Sequence, residues 1–162
     1  MDKQVMEQQA MDEQVVIAGI GPGHQDYITP AALKAIRECH VLIGGRRNLA
    51  QFAHLHKEEV VIGSRLDDLM NNLRNLLETR GGREKLVVLA SGDPGLYSIS
   101  QTLKHQLPEV AFSVIPGISA LQVLCARCHI PWDQVHLTSL HGREPVAVAP
   151  IVRKHPKTVF FT

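Results

Sequence analysis

Cysteine, long apolar runs, repeats and net charge are all scarce in this sequence, and each scarcity removes a class of protein. Three cysteines, an odd number, do not make a disulfide framework. No apolar run approaches the roughly 20 residues that cross a bilayer, and Met1 to Gln14 is polar and mixed in charge rather than signal-like. A second candidate start stands at Met11. These features predict a cytoplasmic chain with no membrane partner. A formal net charge of +1 leaves no field that would steer a polyanion, so composition gives no support to nucleic-acid binding, and any acidic ligand must be met by local basic residues. Internal repeats and low-complexity tracts are missing too.

What is present is an ordinary globular composition: 162 residues, 44% hydrophobic and 20% charged, enough for one domain with a core and a small appendage. Short apolar runs alternate with amphipathic segments, which predicts an α/β fold with a parallel sheet. The expected strands are Val15 to Ile20, Val41 to Ile43, Val60 to Ile62, Leu86 to Ala90, Phe112 to Ile115 and Val135 to Leu140. The expected helices are Pro30 to Cys39, with Thr29 as N-cap, then Leu66 to Thr79, Gly95 to Leu107 and Gly117 to Cys128. The sequence changes character at His141-Gly142-Arg143, so the expected organisation is a polar leader at 1–13, a domain at 14–142, and at 143–162 the start of a second domain. A strand-like Thr158-Val159-Phe160-Phe161 ends the chain. A terminal strand needs partners for its backbone, so the expectation is a truncated second domain.

Cys125-Ala126-Arg127-Cys128-His129 matches the pattern of covalent haem attachment. Ile118, Leu121, Cys125 and Cys128 nevertheless share one helical stripe, as two core cysteines would, and no export signal accompanies them. Three grouped ligands also fall short of a structural zinc site, so no metal is expected.

Three glycine-containing loops follow expected strands, and open α/β sheets bind ligands outside the carboxyl ends of their strands. In Gly19-Ile20-Gly21-Pro22-Gly23 the glycines permit close backbone approach, but a dinucleotide fingerprint would need glycine where His24 stands. Ser91-Gly92-Asp93-Pro94-Gly95 offers a carboxylate with two readings: attraction of a cationic ligand, or a cap on a helix opened by Pro94. Pro116-Gly117-Ile118-Ser119-Ala120 has small residues that leave room for a ligand, or form a simple turn.

In order and wording the three loops together resemble the tetrapyrrole methylases, from about Val15 to Arg143. Ile43-Gly44-Gly45-Arg46-Arg47-Asn48-Leu49, Ser91 to Ser98 and Ser139-Leu140-His141-Gly142-Arg143 are similar to the branch acting on carbon 5 of a cobalt-precorrin-7 or precorrin-6Y type ring in cobalamin biosynthesis. The resemblance implies an enzyme that transfers a methyl group from S-adenosyl-L-methionine, releasing S-adenosyl-L-homocysteine, in a cleft between two α/β domains. It places Gly21, Pro22, Ser91, Gly92, Asp93, Leu96, Ser119 and Ala120 at the donor. Arg46, Arg47 and Arg143 become candidates for the carboxylates of the macrocycle, against the alternative of solvated surface arginines. His141 or His24 is the candidate acceptor for the proton lost after methylation. Trp132 and Phe52 read as packing residues. A homodimer is implied, with the carbon-15 methyltransferase/decarboxylase as a possible docking partner. Two readings from other classes compete: an NADP-binding oxidoreductase domain using Arg46-Arg47 for a 2′-phosphate, and a noncatalytic scaffold.

Overall fold

The computed structural model describes residues 14–63, 66–80, 84–140 and 148–161, with only the backbone of 66–68. The chain packs as two compact units, one up to Ser119 and one from Ala120 onward. The break in composition at 141–143 lies outside the described residues. No described helix is long and apolar enough to cross a membrane.

The first unit is built on five parallel strands: β1 (Val15–Gly19), β2 (Val41–Gly44), β3 (Glu58–Val61), β4 (Leu86–Ala90) and β5 (Phe112–Ile115), in the order β3-β2-β4-β1-β5. β1, β2 and β4 are buried along their whole length. Strands covered on both faces read as unbroken aliphatic runs, which is why they were legible from sequence. The third strand starts two residues earlier than its apolar signal, because the backbone of Glu58 and Glu59 pairs with Val41 and Leu42 while their side chains stay exposed at the sheet edge.

The connecting helices are α1 (Pro30–Glu38), α2 (Arg46–Leu49), α3 (Leu66–Arg80) and α4 (Ile99–Gln106). Thr29 caps α1 as expected: its hydroxyl accepts the Ala32 N–H at 3.2 Å. At the other end Lys57 donates to the carbonyls of Arg37 and Cys39 at 2.7 and 2.8 Å, satisfying acceptors the helix leaves open. Ala32 and Ile36 of α1, with Leu49 and Phe52, pack on the sheet face carrying Val16, Ala18, Leu42, Val87 and Leu89. Leu69, Met70 and Leu73 of α3 and Leu103 of α4 pack on the opposite face, against Val15, Ile17, Ile43, Leu86 and Val88. Chain direction explains the division. The β1–β2 and β2–β3 connections step one way across the sheet and the β3–β4 and β4–β5 connections step back, so right-handed crossovers must use opposite faces. α4 begins at Ile99 rather than Gly95, and Tyr97, at φ 46°, stands in the turn before it.

The second unit contains α5 (Ala120–Arg127), β6 (His136–Ser139), α6 (Val148–Lys154) and β7 (Thr158–Phe161). β6 and β7 pair in parallel, so the final strand is partnered. The helix α6 was not anticipated from sequence. Its proline, Pro150, sits in the first turn, where a missing N–H costs nothing. α5 ends in a Schellman turn: Ile130 N–H donates to Cys125 O at 2.9 Å, His129 N–H donates to Ala126 O at 3.2 Å, and His129 itself is left-handed at φ 54°. The haem-like pentapeptide is therefore a helix ending. Cys125 is buried as expected, but Cys128 is exposed, because the left-handed turn begins immediately after it. Trp132 is also exposed, at 55%, on a one-turn 3-10 helix, whereas Phe52 packs in the core.

Burial pushes the Cys39 thiol up to about 11, against a smaller opposing pull from Lys57, and the thiol donates to Ile36 O at 3.1 Å. On the order of one molecule in ten thousand then carries the Cys39 thiolate at pH 7. A colorimetric thiol titration should accordingly find one fast-reacting cysteine, Cys128, in the native protein and all three in denaturant. Fast native labelling of Cys39 would contradict the packing.

Candidate functional site

The loops after β1, β4 and β5 meet at the carboxyl end of the sheet. The loop leaving β1 heads across β4 toward β2, and the loop leaving β4 heads across β1 toward β5, so the two must cross. They cross backbone to backbone: Gly92 N–H donates to Gly21 O at 2.8 Å, Gly21 N–H donates to Gly92 O at 3.3 Å, and Ile20 N–H donates to Ala90 O at 2.9 Å. Gly21 adopts φ 72° with Tyr27 O only 2.8 Å from where a Cβ would stand, so both conformation and space demand glycine there. The third loop is pressed onto the other two. A Cβ on Gly117 would lie 2.2 Å from Gly92 O and 2.8 Å from Gly19 Cα, and one on Gly19 would lie 2.6 Å from Gly117 N.

Asp93 ties the loops together. Its Oδ1 accepts the Gly95 N–H at 2.8 Å, closing an Asx turn, and its Oδ2 accepts the Gly117 N–H at 3.0 Å, reaching across to the loop after β5. The capping role is not what the structure shows. No helix opens at Pro94 for Asp93 to cap, since α4 starts at Ile99, and the carboxylate is engaged by backbone donors on two loops. Leu96 N–H donates to Asp93 O at 3.1 Å and the Ser100 hydroxyl donates to Pro94 O, so the whole turn is internally bonded.

Around this joint Pro22 and Ser91 are exposed, Leu96 and Gly117 half-buried, and Gly21, Gly92 and Ser119 buried. Ala120 is exposed and opens α5 in the second unit. The Ser91 hydroxyl donates to Asn48 Oδ1 at 3.1 Å, connecting the loop after β4 to α2, which follows β2. β2 and β4 are neighbours whose connections leave in opposite directions, the topology that opens a crevice at the strand ends. Arg46 and Arg47 lie on α2 at this rim, exposed and ion-paired with no described carboxylate.

The other sequence candidates are placed differently. His24 is spent on its own loop: Nδ1 accepts the Asp26 N–H at 3.3 Å, lies 3.4 Å from the Asp26 carboxylate, and the ring meets Tyr27 edge-on. His141 and Arg143 lie outside the described residues. Two contributors were not singled out from sequence. Asn48 carried a signal, since it belongs to the Gly44-Gly45-Arg46-Arg47-Asn48 stretch. Tyr97, left-handed and 51% exposed beside Leu96, belongs to the Ser91 to Ser98 stretch, but its conformation carried no signal, because tyrosine has no preference for it.

Comparison with known proteins gives the family. The family described as tetrapyrrole (corrin/porphyrin) methylases matches residues 14–161, and the chain belongs to it. It is 39% identical over 130 residues to the cobalt-precorrin-7 C(5)-methyltransferase of Salmonella typhimurium, an alignment covering 80% of this chain and 62% of that protein. A probable cobalt-precorrin-7 C(5)-methyltransferase of Methanocaldococcus jannaschii is 27% identical over 150 residues, covering 90% of this chain and 70% of that one. The crystal structure of the methyltransferase CobJ superposes with a TM-score of 0.70 at 23% identity, covering 88% of this chain and 62% of that one, which shows the shared fold. The chain thus spans about 62% of the length of the first curated relative it matches.

Proposed function

We propose that the three crossed loops bind S-adenosyl-L-methionine and that the chain carries the donor-binding half of a methyltransferase acting on carbon 5 of a cobalt-precorrin-7 or precorrin-6Y type ring. The observation that carries this reading is the joint of Gly19, Gly21, Gly92 and Gly117 held by Asp93, which packs three loops backbone to backbone at the carboxyl end of the sheet, with Pro22 exposed and Leu96 half-buried on those loops. Such a surface suits a folded nucleoside with a sulfur chain, which needs backbone donors and acceptors and close apolar contact. The identity to a carbon-5 methyltransferase supports the substrate class.

Methyl transfer from a sulfonium to a ring carbon needs no protein nucleophile. The bound donor supplies the electrophilic methyl group. What the loops contribute is position: fixing methyl and carbon in line at near-contact distance is worth up to roughly 7–11 kcal/mol in favourable cases. Arg46 and Arg47 at the rim are free to take acetate or propionate groups of the macrocycle as bidentate partners. Because His24 Nδ1 accepts a backbone N–H, the neutral ring already carries its proton on Nε2, and His24 takes up the proton lost after methylation only at Nδ1, by giving up that bond. The NADP reading is not favoured, since the family matched is a methylase family and His24 stands where the fingerprint glycine would be.

Calorimetric titration with S-adenosyl-L-homocysteine tests the proposal, with NADPH as the competitor class. Saturable micromolar binding of the homocysteine and none of NADPH is the expected result. Preference for NADPH would overturn it, and binding of neither would favour the scaffold alternative.

A further inference from the structure

The second unit holds a cluster that the methyl-transfer reading does not use. At the amino ends of β6 and β7 a depression of about 320 Å³ is lined by Gln134, His136, Lys154, His155, Pro156 and Lys157. The imidazoles of His136 and His155 stack face to face, centroids 4.0 Å apart and planes 9° from parallel. Backbone bonds fix both residues: His136 N–H donates to Lys157 O and His155 N–H to Ile151 O, each at 2.8 Å, and the Thr158 hydroxyl donates to His155 O. Lys157 Nζ reaches Gln134 Oε1 at 3.3 Å.

Four of the six lining residues are basic and none is acidic. Arg153, exposed on the last turn of α6, adds a further cation beside them. The acid on the neighbouring 3-10 turn, Asp133, is exposed, and no described carboxylate pairs with either imidazole or either lysine. The carboxyl end of α6 contributes only about half a negative charge. Partial desolvation first, then His136 and Lys154, hold the His155 imidazole below the ordinary histidine range. Two stacked imidazolium ions are mutually repulsive, so a second proton on the pair is disfavoured.

We propose that this pocket binds a compact polyanion, a ligand bearing two or more clustered phosphate or carboxylate oxygens, and that binding draws protons from solvent onto the His136–His155 pair. A polyanion reverses the electrostatics that disfavour protons on the stacked pair. Proton uptake makes affinity rise as pH falls: each proton taken up strengthens binding by about tenfold per pH unit through the range where the group is neutral in the free protein and protonated in the complex.

The test is titration of the whole chain with inorganic pyrophosphate and, separately, citrate at pH 8.0 and pH 6.0 and constant ionic strength, with the histidine ring resonances followed by NMR. Either anion should bind about tenfold or more tightly at the lower pH and move the titration midpoints of His136 and His155 upward while the other histidines stay in place. Tighter binding of pyrophosphate would identify phosphate esters as the ligand class, and tighter binding of citrate polycarboxylates. His136→Gln together with His155→Gln should abolish the pH dependence, and the Lys154→Gln, Lys157→Gln pair should weaken binding about tenfold at both pH values. Equal affinity at the two pH values, unmoved midpoints in the unaltered protein, or the same shifts with chloride alone would each overturn the proposal.

Discussion

Gly117→Ala is expected to destabilise the protein by about 3 kcal/mol and to weaken S-adenosyl-L-homocysteine binding by more than tenfold. The added methyl would stand 2.2 Å from Gly92 O, 2.8 Å from Gly19 Cα and 2.9 Å from Gly19 C. All three are backbone atoms in loops that are already hydrogen-bonded to each other, so no side chain can swing aside. One loop must lift, and lifting it breaks the Gly117 N–H bond to Asp93. In thermal unfolding the loss corresponds to a midpoint roughly 6–12 °C lower for a chain of this size. Gly45→Ala is the control: nothing lies within 4 Å of its Cβ position and φ is −65°, so stability should stay within about 0.5 kcal/mol. A Gly117→Ala midpoint indistinguishable from that control would mean the loops are not locked as described.

The same crowding shows why part of the site was legible in sequence and part was not. Strands such as Leu86–Ala90 announce themselves because a central parallel strand is apolar at every position, and the glycines after them mark turns. Sequence therefore located all three loops and implied, through the family resemblance, a shared ligand. It gave no access to the reason for the glycines, because Gly19 and Gly117 are 98 positions apart and only the strand order brings them into contact. Helix boundaries failed where a backbone conformation overrode propensity. Tyr97 at φ 46° ends the run that would have started α4 at Gly95, and His129 at φ 54° turns the chain beside a cysteine whose helical stripe suggested burial. Exposure of Trp132 escaped for a related reason, since an isolated aromatic beside a proline has no periodicity from which to read a face.

Asp93→Asn should lower affinity for S-adenosyl-L-methionine and for S-adenosyl-L-homocysteine by the same factor, about tenfold, and cost about 1–3 kcal/mol of stability. The carboxylate accepts from Gly95 N–H and Gly117 N–H, one on each oxygen, and an amide can satisfy only one of the two. Its NH2 group would face a backbone donor, so either the Asx turn or the tie to the loop after β5 is lost. The two ligands differ in the charge on sulfur, which separates positioning from attraction. If Asp93 acted chiefly by drawing the sulfonium, the cationic donor would lose far more affinity than the neutral product. If it acts as the geometry places it, as the strut between two loops, both lose alike, because what has changed is the shape of the crevice. Asp93→Ala extends the comparison by leaving both N–H groups without their acceptor. It should therefore destabilise at least as much as asparagine, and calorimetry on the two variants with both ligands decides between the roles.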